Sequence, residues 1–134
     1  VTEQKVRKGS CLCGKISIKV EGEMRGVSAC HCGQCRKQTG SYYMATSAPD
    51  DAITISGEEY LKWYHASDDA KRGFCAECGS ALFWKHEHET ATSIMAGCFD
   101  APTDLKVVKH IFMADKGDYY DISDGVEQFD DGGR

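Results

Sequence analysis

The sequence predicts a mostly β domain built from short antiparallel strands. Short segments rich in β-branched and aromatic residues recur along the chain, and glycine, proline and acidic residues separate them. No segment has the spacing of a long amphipathic helix. Many short strands at regular intervals are typical of antiparallel β architectures. With 134 residues, the chain has the length of a single domain.

The first part of the chain is expected to contain one strand and one short helix. Residues 1–8 are charged and are expected to form a loose arm. Apolar residues alternate with polar ones over residues 16–20, which is the pattern of a half-buried strand. Glycines bracket a turn at residues 22–26. Residues 32–40 predict a short helical turn that Gly40 ends.

The rest of the chain contains further strand-prone segments, rich in aromatic and β-branched residues. They are residues 42–47, 53–55, 60–65, 81–84, 91–96 and 107–113. Pro49 separates the first two of these segments, and residues 67–70 and 86–89 are polar loops. The tail at residues 130–134 is expected to be disordered. We therefore expect one domain over residues 1–134, with its ordered core at about residues 8–130.

Composition and charge exclude several classes of protein. Hydrophobic residues make up 41% of the chain and charged residues 28%, as in an ordinary globular domain. The formal net charge is -5, which disfavours nucleic acid as a partner, although Arg36 and Lys37 form a small basic patch. No apolar run is long enough for a membrane span. The charged start predicts no signal peptide, and we expect a cytoplasmic protein.

Seven of the eight cysteines fall into three tight clusters, and they predict metal binding. The clusters are Cys11 and Cys13; Cys30, Cys32 and Cys35; and Cys75 and Cys78. Disulfides are the alternative for so many cysteines. They are typical of shorter secreted chains, and two cysteines separated by one residue rarely bridge each other. The spacing therefore favours zinc.

The first and last clusters together supply the four ligands of a closed zinc site. Cys75 and Cys78 have the spacing of a zinc knuckle, in which a tight turn presents two sulfurs to one metal. Cys11 and Cys13 are the simplest partner pair, which would connect the N-terminal strand to the middle of the chain. In the alternative, the cysteines divide differently between the metal sites, and a thiol of the middle cluster is one of the ligands. Spacing alone leaves both open.

The middle cluster predicts a second zinc site, either open or closed. Cys30, Cys32 and Cys35 lie within six residues, so one loop is able to place all three on one ion. With three thiolates, zinc keeps a net charge of -1 and a position for water or a substrate thiol. In the closed alternative a fourth ligand comes from Cys98, His31, His65 or His110. The sequence pattern by itself does not choose between them.

Three motifs that contain these cysteines resemble the glutathione-dependent formaldehyde-activating enzyme (GFA) family, which includes centromere protein V. The motifs are GSCLCGKI at residues 9–16, CHCGQCRKQTGS at residues 30–41 and FCAECGSALF at residues 74–83. Residues 96–100 and 110–116 also resemble the family, so the resemblance extends over roughly residues 8–130. It implies several small coiled antiparallel sheets around a structural zinc, a fold shared with a zinc-containing Rab exchange factor.

The resemblance also implies a site and an activity. Cys11, Cys13, Cys75 and Cys78 would hold the structural zinc, and Cys30, Cys32 and Cys35 would hold a catalytic zinc, giving two zinc ions per chain. The implied activity is that of S-(hydroxymethyl)glutathione synthase, a carbon–sulfur lyase that acts on glutathione or a related small thiol adduct and on formaldehyde. The alternatives are a non-catalytic binding module held together by zinc, and a redox or metal-responsive protein that uses the middle cluster.

Several other residues have two possible roles. We expect Cys98 to be a buried free thiol rather than a redox partner, and His31 to point away from the metal. We expect His110 to be a hydrogen-bonded core histidine rather than a proton relay. Residues 39–43 are candidates for lining a pocket. Core packing is expected for Trp63, Phe83 and Trp84, and a solvated position for His86 and His88.

Overall fold

The computed structural model describes residues 5–133, and within them ten strands form two sheets beside one short α-helix. The elements are β1 (Val6–Ser10), β2 (Ser17–Glu21), β3 (Val27–Cys30), α1 (Gly33–Thr39), β4 (Tyr43–Pro49), β5 (Ile53–Ser56), β6 (Leu61–His65), β7 (Ala70–Cys75), β8 (Ala81–His86), β9 (Ala91–Met95) and β10 (Val107–Ile111). The prediction of a mostly β fold is confirmed.

The two sheets differ in size. One has three strands in the order β1-β2-β5, and the other has seven in the order β10-β3-β4-β9-β8-β7-β6. One pair departs from the antiparallel pattern, because β10 runs parallel to β3. A connection that brings a new strand parallel to an earlier one must be long. Residues 96–106 between β9 and β10 provide it.

Side chains of both sheets form the main hydrophobic core. Ile18 and Val20 of β2 pack in one cluster with Leu82 and Phe83 of β8 and Ile94 of β9. Each such side chain contributes about 1.5–3 kcal/mol when it is fully buried. Cys11 and Cys75 belong to the same cluster. The core therefore surrounds part of the first cysteine group.

Two segments expected to be loose are held in the fold. From Val6 onward the predicted arm is strand β1, whose Arg7 is buried and donates a hydrogen bond to the Thr103 carbonyl at 2.7 Å. Residues 1–4 lie outside the described residues. The predicted tail is bonded as far as it is described, because the Phe112 amide donates to the Asp131 carbonyl at 2.7 Å. The inward-facing residues of β1 are Arg7 and Gly9, so this strand has no apolar alternation in its sequence.

Strands β3 and β7 have no clear sequence pattern, because each is buried on both faces over much of its length. All of β3 except Cys30 is buried, and β7 contains buried Arg72 and Gly73.

Helix α1 agrees with the prediction. Gly40 ends it with φ 84°, a left-handed conformation that glycine adopts without strain. Over residues 5–133, none of the helices has the length and apolar character needed to cross a membrane.

Candidate metal centres and the adjoining cavity

The first candidate metal centre is formed by Cys11, Cys13, Cys75 and Cys78. Their sulfur atoms all lie within 4.8 Å of one another. The Cys11 and Cys13 sulfurs are 3.5 Å apart, and those of Cys13 and Cys75 are 3.8 Å apart. Four sulfurs at about 2.3 Å from a tetrahedral zinc would be about 3.8 Å apart. The four side chains therefore fit a zinc ion, with no further ligand needed.

Two turns position these sulfurs, one after β1 and one after β7. In the second turn the Gly79 amide donates to the Cys75 carbonyl at 2.8 Å, and Gly79 has φ 79°. The Ile16 amide donates to the Cys11 sulfur at 3.3 Å, and the Ser80 hydroxyl contacts the Cys78 sulfur at 3.2 Å. Hydrogen bonds from Ser80 lower the pKa of Cys78 to about 5. Such donors stabilise thiolates, which are the form that binds metal.

The second candidate centre consists of Cys30, Cys32 and Cys35, here called the three-cysteine cluster. Cys30 ends β3, Cys32 is the N-cap of α1, and Cys35 lies in its first turn. Their sulfurs also lie within 4.8 Å of one another. Among residues 5–133, no other cysteine, histidine, aspartate or glutamate joins this group. The cluster fits a metal ion held by three thiolates, with one position left for another ligand.

Negative charge in the three-cysteine cluster is favoured at Cys32. Its pKa is lowered by hydrogen bonds from the Cys30 and Cys35 thiols and from the Cys35 amide, and by the positive charge of Arg72. The same contacts raise the pKa of Cys30, because its neighbours compete for the charge. A group of three sulfurs that favours negative charge in this way is suited to binding a cation.

His31 and His110 belong to a buried hydrogen-bonded chain, not to the metal centre. His31 Nδ1 lies 2.7 Å from the Tyr120 hydroxyl, and its Nε2 lies 2.9 Å from His110 Nδ1. His110 Nε2 lies 2.8 Å from a carboxylate oxygen of Asp124. Tyr42 stacks on His31 at 4.5 Å between ring centroids. Both nitrogens of His31 are therefore occupied, in agreement with the expectation that it points away from the metal.

We expect His110→Ala to reduce the free energy of unfolding by about 2 kcal/mol, because it leaves buried His31 without one hydrogen-bond partner. Urea unfolding of the purified protein measures this change. The matched control is His88→Ala. Its side chain is 76% exposed, and the expected change is below about 0.5 kcal/mol. Equal effects of the two substitutions would contradict the structural role of His110.

Cys98 and His65 remain outside both metal centres. Cys98 is a half-buried thiol packed against the main core, and burial raises its pKa to about 12. Its environment therefore favours the neutral thiol, in agreement with the expected packing role. All eight cysteines are free.

A cavity of about 570 Å³ opens beside the three-cysteine cluster, on one face of the seven-stranded sheet. Its lining includes all three cysteines, and the further polar or aromatic residues Arg25, Ser28, Gln34, Tyr43, Ser67, Asp69, Arg72, Trp84, His86, Ser93, Lys109 and Phe112. Of residues 39–43, only Tyr43 lines it. Trp84 packs against the smaller core cluster of Cys35, Tyr43 and Ala45, as expected, and it also lines the cavity. The prediction for His86 is corrected, since it is half-buried and lines the cavity instead of lying in solvent.

Three buried polar atoms of this cavity have no hydrogen-bond partner among the described residues. They are Ser28 Oγ, Tyr43 OH and Arg72 Nε. Burial raises the pKa of Tyr43, so its hydroxyl keeps its proton and is available as a donor. Buried donors without partners are rare in folded proteins. The three residues that carry these atoms all line the same cavity.

Arg72 connects the cavity to the three-cysteine cluster. It is buried, donates to Gln38 at 2.8 Å and to the Cys35 sulfur at 3.5 Å, and lies over the Tyr43 ring at 5.5 Å. No carboxylate in the described part of the chain forms an ion pair with it. The thiolates are therefore its source of compensating negative charge. Sequence analysis missed Arg72, because it lies just before the motif of the other metal centre and 37 residues from Cys35 in the chain.

The fold and the two cysteine groups define a mostly β protein with two centres able to bind metal through thiolates. The chain belongs to the glutathione-dependent formaldehyde-activating enzyme (GFA) family, whose model matches residues 6–115. The family resemblance predicted from the three motifs is thereby confirmed.

Two known proteins are similar to the chain. An uncharacterized lyase of Schizosaccharomyces pombe is 30% identical over 123 residues, which cover 91% of this chain and 89% of the relative. The crystal structure of a Rhodobacter sphaeroides protein, a structural genomics target, has 25% sequence identity and a TM-score of 0.60. The match covers 70% of this chain and 88% of that one. The name of the first relative supports a lyase-like function.

Proposed function

We propose that the protein is a carbon–sulfur lyase of the S-(hydroxymethyl)glutathione synthase type, which joins a small thiol such as glutathione to formaldehyde and catalyses the reverse cleavage. One observation carries this proposal. The three-cysteine cluster opens into a cavity that also contains two unpartnered donors, Tyr43 OH and Arg72 Nε. A centre for a thiol and donors for an oxygen thus share one cavity.

We further propose two zinc ions per chain. Cys11, Cys13, Cys75 and Cys78 would hold a structural ion, and the three-cysteine cluster would hold a catalytic one. When three thiolates bind it, zinc supplies Lewis acidity and a position for a fourth ligand. The thiol ligands must stay reduced to bind metal, which supports a location in the cytoplasm.

The residues of the chain have separate roles in this reaction. In the direction of synthesis a bond forms between the thiol sulfur and the aldehyde carbon. The C=O π electrons move onto oxygen, which takes up the proton that the thiol loses. The Tyr43 hydroxyl and Arg72 Nε would donate hydrogen bonds to that oxygen as its negative charge develops. The cavity would also hold the two reactants together.

Replacement of Tyr43 by phenylalanine tests this role, because it removes only the hydroxyl. We expect Tyr43→Phe to reduce turnover by about 100-fold, as observed for the loss of one donor to a developing oxyanion. NMR of the exchange between formaldehyde, glutathione and their adduct measures the rate. Zinc content should stay unchanged, since Tyr43 is not a ligand.

The matched control is Tyr64→Phe on β6, since the Tyr64 side chain is exposed and outside the cavity. It should have the activity of the original protein. If Tyr43→Phe is equally active, Tyr43 does not contact the reacting oxygen. If the unmodified protein does not accelerate the exchange over its spontaneous rate, the proposed activity is wrong.

A further inference from the structure

Polar residues on neighbouring strands form a row across the cavity, next to the three-cysteine cluster. In the register of the seven-stranded sheet, Lys109 of β10 pairs with Ser28 of β3, and Ser28 pairs with Ala45 of β4. The guanidinium of Arg25 donates to the Ala45 carbonyl at 3.1 Å. Arg25, Ser28 and Lys109 all line the cavity. The register therefore places Lys109 beside Ser28, and the Arg25 guanidinium lies at the next strand.

Ser28 is the clearest sign that this row binds a ligand. Its exposed fraction is 5%, and its hydroxyl has no hydrogen-bond partner within the described residues. A buried hydroxyl without a partner is unfavourable unless a ligand or water completes it. Because Cys30 also lines the cavity two residues farther along β3, both side chains lie on the same face of the strand.

The charges of this end of the cavity favour an anion. Half-buried Lys109 has no ion pair among the described residues. The Arg25 guanidinium donates hydrogen bonds to the backbone carbonyls of Gly26 and Ala45, and it also interacts electrostatically with Glu89. The carboxylate that lines the cavity, Asp69, lies just before β7, toward the opposite side of the sheet, and bonds His86 at 3.2 Å. Arg72 already balances the thiolates of the three-cysteine cluster. The positive charge of Lys109 beside Ser28 is therefore left for a ligand.

We propose that Ser28 and Lys109, with Arg25 at the rim, bind a carboxylate of the thiol substrate. This inference rests on the proposed function, in which the thiol occupies the centre at Cys30. Two residues along a strand correspond to about 7 Å, so the row is within reach of a carboxylate two or three carbons from the sulfur. The substrate class is then thiols that carry a carboxylate, not neutral thiols.

Isothermal titration calorimetry of the zinc-loaded protein tests the proposal without any turnover. The probes are 3-mercaptopropionate and 3-mercapto-1-propanol, which have the same chain length and differ in the carboxylate. We expect the acid to bind at least about 10-fold more tightly, as for a charge-assisted interaction in a partly buried site. Equal affinities, or no binding of either thiol, would overturn the proposal.

Substitutions of Ser28 and Lys109 test whether the preference for the acid depends on these residues. Ser28→Ala and Lys109→Met should each reduce the preference for the acid by about threefold to tenfold, because each removes one donor to the carboxylate. Affinity for the neutral thiol and zinc content should stay unchanged. The control is Lys106→Met, since Lys106 is exposed and does not line the cavity. A preference that survives both substitutions would place the carboxylate elsewhere.

Failure of this inference is distinguishable from failure of the proposed function. If the protein accelerates adduct exchange but binds the two probes equally, the activity stands and the carboxylate site is wrong. If it prefers the acid through Ser28 and Lys109 but does not accelerate exchange, the site stands and the lyase activity is wrong.

Discussion

Cys75→Ser is expected to leave the chain unfolded at 25 °C and unable to retain its structural metal. Cys75 is fully buried, ends β7, and places its sulfur 3.8 Å from that of Cys13. A structural zinc contributes about 10–16 kcal/mol to folding in small zinc domains. The whole net stability of a domain is only about 5–15 kcal/mol. The stability lost when one of the four ligands is removed should therefore exceed the net stability that the hydrophobic core supplies.

Circular dichroism and elemental analysis of the purified variant measure this result. The matched control is Cys98→Ser, which also replaces a cysteine by serine but lies outside both metal centres. It should fold and retain two zinc ions per chain. A folded Cys75→Ser protein with unchanged zinc would show that the core holds the fold without the closed metal centre.

Local patterns predicted strands whose single buried face is apolar. Strand β2 is such a case, since Ile18 and Val20 are buried and the residues between and beside them are more exposed. Strands β3 and β7 could not be predicted in this way, because burial on both faces removes the alternation. The parallel pairing of β10 with β3 is also invisible in the sequence, since it depends on the path of residues 96–106.

The cysteine groups were predictable, whereas the cavity was not. Cys30, Cys32 and Cys35 lie so close in the chain that their meeting follows from the loop and helix start alone. Arg72 and Lys109 reach the cavity only through the order and register of the strands in the seven-stranded sheet. Ser28 is the exception. Its position two residues before Cys30 on a strand would have placed it on the same face.

The two metal centres have different surroundings, and this difference is the basis for assigning them different roles. Cys11 and Cys75 lie inside the main core, so the four-cysteine centre is part of the packing of both sheets. The three-cysteine cluster packs in a separate, smaller cluster with Tyr43 and Ala45, and it lines the cavity. Loss of metal from the second centre should therefore cost activity more than stability.

Cys32→Ser is the substitution that tests this separation, and we expect it to abolish turnover while the chain stays folded. Cys32 is the N-cap of α1, and its sulfur accepts a hydrogen bond from the Cys35 amide at 3.4 Å. Serine is among the best N-cap residues, so its hydroxyl preserves the start of the helix. It does not preserve a thiolate ligand. Turnover should fall by more than about 100-fold, since even residues that only support metal ligands contribute about 10–100-fold.

Three measurements on Cys32→Ser decide the outcome together. The rate of adduct exchange by NMR should match the spontaneous rate, elemental analysis should find one zinc per chain, and the circular dichroism spectrum should equal that of the unmodified protein. Cys78→Ser is the matched comparison, because it removes one thiolate from the closed centre and should unfold the chain. An unfolded Cys32→Ser protein would make the three-cysteine cluster a second structural centre and would remove the basis for a catalytic metal.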